Sequence, residues 1–235
     1  MEQKSAISEI PKTPLHLKAE GIRSELPENL KVNSTISTGL KALEKADQII
    51  QETSETIQKL NQDRTRNSID KRVTAYEYSS KKLEKIRDFG SRAERDLRDV
   101  VNSINSRIEE GIEDNASRKP LAKETRALFR EMDDSKKHSF LNKAIDSGKF
   151  ELAEYVLGVP SELTGFDDET RDRFIEHFKQ TKFKDEIEKR DHIKSVADSV
   201  GQLSNYFGRY VQKLDNYEVQ QSLKLRNDVD TALKR

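Results

Sequence analysis

Residues 193–217 read IKSVADSVGQLSNYFGRYVQKLDNY. Apolar side chains stand at Ile193, Val196, Val200, Leu203, Phe207, Tyr210, Leu214 and Tyr217, alternating steps of three and four. That alternation places one narrow stripe along a helix, and a stripe of this width packs best into another helix. The fold therefore starts as an all-α problem: which helices cover this seam.

Upstream, the same kind of pattern runs through Ile86, Phe89, Ala93, Leu97, Val101, Ile104 and Ile108. Its mean step is nearer an eleven-residue repeat than a heptad, so this seam winds little. Gly90 sits inside it, where glycine costs a helix about 1 kcal/mol relative to alanine; close approach of another helix is a reason to place it there. A third stripe occupies Ile36, Leu40, Leu43, Ile50, Ile57 and Leu60, beginning where Ser34, Thr35 or Ser37 can cap a helix. Between the last two, residues 61–68 (NQDRTRNS) hold no apolar side chain. They are either a polar stretch of one helix or the turn of a helical hairpin.

Residues 116–182 differ. Seven of the nine phenylalanines fall between Phe129 and Phe183. Short amphipathic runs are separated by Asp133-Asp134-Ser135, by Gly148, by Gly158-Val159-Pro160 and by Asp167-Asp168-Glu169, which are helix stops and caps. Phe129, Phe140, Leu141, Leu157 and Phe174 are the expected core, with Leu121, Leu128 and Met132 on its first helix and Leu163 and Phe166 filling it from a loop. The first 33 residues carry Pro11, Pro14 and Pro27 and read as an irregular arm, ordered on a neighbouring subunit.

The predicted organisation is an arm (1–33), a long helix or hairpin (34–115), a compact helical tip (116–182) and a long C-terminal helix (183–235). The expected fold is a long antiparallel coiled-coil stalk with a small helical tip. Ile86, Leu97, Ile104, Ile193, Val200, Leu203, Phe207, Tyr210 and Leu214 form the stalk and oligomer seam. A stalk of two helices has a thin core, so a homo-oligomer is expected.

Composition agrees with seams rather than a thick core. Of 235 residues, 33% are hydrophobic and 37% charged, against about 25% charged in an ordinary soluble domain. Lysine plus arginine and aspartate plus glutamate number 43 each. No predicted segment departs from that balance by more than one charge, so the basic footprint of a nucleic-acid binder is missing. The richest basic stretch, residues 59–87, has nine bases against four acids with Tyr76 and Tyr78 among them, and reads as a solvated helix face. No apolar run approaches the length of a membrane span, and residues 1–5 lack the apolar core of a signal peptide. Absence of cysteine removes disulfides, thiol nucleophiles and thiolate metal sites. The expected location is cytoplasmic.

Chemistry-bearing patterns are sparse. His16, His138, His177 and His192 offer no i, i+4 metal pair. Asp133-Asp134 and Asp167-Asp168 read as helix caps rather than an acid–base pair. The nine glycines are scattered rather than gathered in a phosphate-cradling loop. A non-enzymatic chain without metal or cofactor is expected.

The stretches RALFREM (126–132), FLNKAIDSG (140–148) and YVLGVPSELTG (155–165) resemble the tip of uncharacterised bacteriophage and prophage proteins, which place a short helical module between long charged helices. The resemblance implies a virion-associated or assembly role, with self and other structural proteins as partners and the bacterial host cytoplasm, then the virion, as location. It carries over no functional residues. The competing expectation is a coiled-coil adaptor that binds a partner helix through exposed seam positions in 36–60.

Overall fold

The computed structural model describes residues 7–113 and 119–233, with side chains through Gly111 and again from Lys119. The expected break at 115–120 falls mostly outside them. Among the described residues there is no strand. A 3-10 turn at Leu15–Leu17 is followed by α1 (Ala19–Glu25), α2 (Glu28–Lys31), α3 (Ser34–Gln62) and α4 (Ser68–Glu113). Then come α5 (Pro120–Glu131), α6 (Asp134–Asp146), α7 (Phe150–Leu157), α8 (Asp168–Lys182), α9 (Lys184–Leu214) and α10 (Tyr217–Leu233). The chain divides into two compact units, Met1–Arg98 with Ile193–Arg235, and Asp99–His192.

In the first unit, α3, α4 and α9 pack together. The polar run at 61–68 is a turn: the Asp63 carboxylate accepts from the backbone N–H and the hydroxyl of Thr65, and Asn67 accepts from the Asp70 N–H to start α4. Those two bonds hold the Asp63 carboxyl below the usual carboxylate range. α3 then lies antiparallel to α4. Lys82 Nζ stands 3.2 Å from Glu52 Oε2, Lys45 sits 4.9 Å over the Phe89 ring, and Gly39 meets the Leu97 side chain. α9 is antiparallel to α4 in turn, with Gly208 against Leu83, Gly90 against Ser204 and Arg98 bonded to Asp198 at 2.9 Å. The start of α3 is set one residue earlier than the serine and threonine caps expected from the sequence. Asn33 Oδ1 accepts from the N–H groups of Thr35 and Ile36.

Where the sequence reading has one helix over 183–235, the structure has two. Asn216 leaves the helix and accepts from the Val219 N–H, opening α10 as a fresh N-terminus. Residues expected to continue one seam are thereby placed on a separate helix.

The arm lies on its own chain, not on a neighbour. Ile7, Ile10, Leu17, Ile22, Leu26 and Leu30 are buried. The segment runs back along α3, with Ile7 O accepting from Asn61, Lys18 beside Asp47 and Arg23 bonded to Glu44. From α9, Tyr210 donates to Ser8 O at 3.1 Å, and the Tyr206 hydroxyl reaches Pro11 O and Lys12 O at 2.7 and 3.0 Å. Burial raises the Tyr210 hydroxyl to about 12. Burial, and secondarily the Asp47 charge, raises that of Tyr206.

The second unit encloses its own apolar core of Phe129, Leu141, Ala144, Ile145, Ala153, Val156, Leu157, Phe174 and Phe178. Phenylalanine rings meet edge-on or tilted, Phe129 with Phe140 and Phe166 at 5.8 and 5.5 Å and Phe166 with Phe174 at 5.7 Å, the arrangement that ring quadrupoles favour. Gly148 ends α6 at φ 71°, a left-handed backbone that glycine adopts freely. Arg171 closes the open end of α7 by donating to Leu157 O and Val159 O. Two sequence expectations change here. Leu121, Leu128 and Leu163 are exposed, and the inner face of α5 is Ala122, Thr125 and Phe129.

Candidate functional site

The nine predicted seam residues are all buried. Ile86, Leu97, Ile193, Val200, Leu203, Phe207, Tyr210 and Leu214 lie in the first unit and Ile104 in the second. In the first unit the other long helices and the arm cover that seam, so these side chains offer nothing to a second molecule in this conformation. The same holds for the α3 stripe. Ile36, Leu40, Leu43, Ile50 and Ile57 are buried, and an adaptor surface at 36–60 would require α3 to leave the bundle. Of the predicted tip residues, Phe129, Leu141, Leu157 and Phe174 are core and Phe140 packs against it, partly buried.

Polar clusters serve the fold. Asp133 and Asp167 cap α6 and α8, accepting from the N–H groups of Lys136 and Thr170. Both carboxyls are held low, Asp133 chiefly by its side-chain bond with Lys136 and Asp167 chiefly by the Thr170 N–H. His138 Nδ1 stands 2.7 Å from Asp134 O while its ring packs against Phe166 and Phe174, and His177 Nε2 stands 3.3 Å from Asp146. Among the described residues no group of three or more histidines and carboxylates could hold a metal. A groove between α4 and α9, walled by Tyr76, Leu83, Arg87 and Gly208, and another in the second unit, walled by Glu109, Pro160, Arg171 and Lys179, are open to solvent. In the second groove Arg171 is occupied by backbone carbonyls and Lys179 by Glu109 at 2.7 Å. No helix among the described residues is long and apolar enough to cross a membrane.

Besides single exposed side chains such as Val32 and the α5 pair Leu121 and Leu128, α10 carries an uncovered apolar row. Its first turns are anchored: Val219 is buried, Arg72 pairs with Glu218 at 3.3 Å, and Arg226 reaches Asp70 at 3.2 Å and Glu77 at 3.6 Å. From Lys224 to Leu233 every residue is exposed. Leu225, Val229 and Leu233 stand at successive i, i+4 positions, hence on one face, with 65%, 55% and 80% of their surface in water. Their spacing extends the C-terminal seam loosely past Gln221, and the new helix start at Asn216 is what parts them from it.

No protein-family model matches this chain, and neither does any curated protein or solved structure.

Proposed function

We propose that this chain is a non-enzymatic structural or assembly subunit that works by packing helices between copies, as a virion-associated or scaffolding component of a bacteriophage particle. The observation that carries the packing reading is the α10 face: three large aliphatic side chains in a row on a helix whose residues from Lys224 to Leu233 are all exposed. Isolated helical turns of this length are marginal in water, and contact with another subunit would both cover the row and hold the turns. The phage setting is supported by the resemblance of residues 126–165 to phage and prophage tip modules. In this reading the chain acts in the host cytoplasm during assembly and then in the particle.

Light scattering coupled to size-exclusion chromatography over a range of concentrations tests it. The expected result is a mass above the 27.1 kDa of one chain that grows with concentration. A single-chain mass at every concentration would overturn it.

A further inference from the structure

We draw no further inference here: the strongest candidate, the aliphatic face of α10 at Leu225, Val229 and Leu233, is left in water with nothing in the structure to show what covers it.

Discussion

Replacing Gly39 by alanine and, separately, Gly90 by alanine should move the stability of the same unit in opposite directions. Both glycines are interior to long helices, and both changes gain about 0.8–1.0 kcal/mol of helix propensity. Their surroundings differ. A Cβ on Gly39 would lie 2.5 Å from Val196 Cγ1 and 2.9 Å from Leu97 Cδ1, where carbon atoms prefer about 3.5–4.0 Å. Val196 and Leu97 are both fully buried; Val196, β-branched, has essentially one rotamer in a helix, and Leu97 is held by close packing around it, so neither can step aside cheaply. Overpacking of this kind costs about 1–3 kcal/mol, which leaves Gly39→Ala destabilised by about 1 kcal/mol after the propensity gain. A Cβ on Gly90 meets only the Ser204 hydroxyl at 3.2 Å and Val200 at 3.6 Å. Ser204 is half-buried and its hydroxyl can turn away, so Gly90→Ala should be stabilised by several tenths to 1 kcal/mol. Urea denaturation of the full chain, followed by helicity, measures the difference, about 2 kcal/mol between the two variants. Adding Val196→Ala to Gly39→Ala removes the obstructing methyls, and the two changes should couple by about 1 kcal/mol rather than add. Equal stabilisation by both alanines, or strict additivity of the pair at 39 and 196, would refute the packing of α3 against α4 and α9 at this point.

Two other predictions follow from single side chains. Tyr210 keeps its proton in the folded chain to about pH 12, against 10.0 for a phenol in water. The unfolded chain gives that proton up first, so the contribution is whole below pH 10.0 and is lost as pH rises towards 12; two pH units correspond to about 2.7 kcal/mol. Tyr210→Phe should abolish that part of the alkaline loss while weakening arm docking at neutral pH by about 1 kcal/mol through the missing bond to Ser8. An identical alkaline profile in both proteins would mean another group is responsible. In the second unit, Phe129→Ala empties a fully buried site and should cost about 3–5 kcal/mol. Hydrogen exchange should quicken across α5–α8 far more than in α3, and uniform quickening would contradict the division into separate cores.

The bundle seams were readable because their apolar spacing and their burial coincide. In α9, residues from Ile193 to Leu214 at alternating steps of three and four are all buried, since helices on both sides leave that stripe nowhere else to point. The first helix of the tip shows where this reasoning fails. Ranking α5 by hydrophobicity puts Leu121 and Leu128 inward, yet the inner face is Ala122, Thr125 and Phe129. Small side chains let α5 approach α7 closely, and Thr125 satisfies its hydroxyl on Leu121 O, so burial follows fit rather than greasiness. The Asn33 cap was displaced by a single residue for a related reason. Asparagine, serine and threonine cap about equally well, and the choice among adjacent candidates is made by where the chain leaves α2.

The arm and α10 were misread in opposite directions, and one physical cause accounts for both. Neither has a periodicity that names its partner. Prolines break the arm into short pieces, so its buried residues from Ile7 to Leu30 give no long stripe; apolar burial and the Lys18 and Arg23 ion pairs hold it, together with the Tyr206 and Tyr210 hydroxyls, which reach backbone carbonyls nearly the whole chain length away in sequence. In the sequence Tyr210 reads only as a stripe member and Tyr206 lies outside the stripe, since nothing local says where a phenolic hydroxyl will find an acceptor. In α10 the periodicity continues past Gln221 and suggests a covered seam, yet the cap at Asn216 redirects the helix and strips its cover. The arm thus takes up apolar surface of α3 and α9 that would otherwise demand another subunit, while the redirected helix exposes a new one at Leu225, Val229 and Leu233. The long seams are covered within the chain, and the contiguous aliphatic row left in water lies on the last helix.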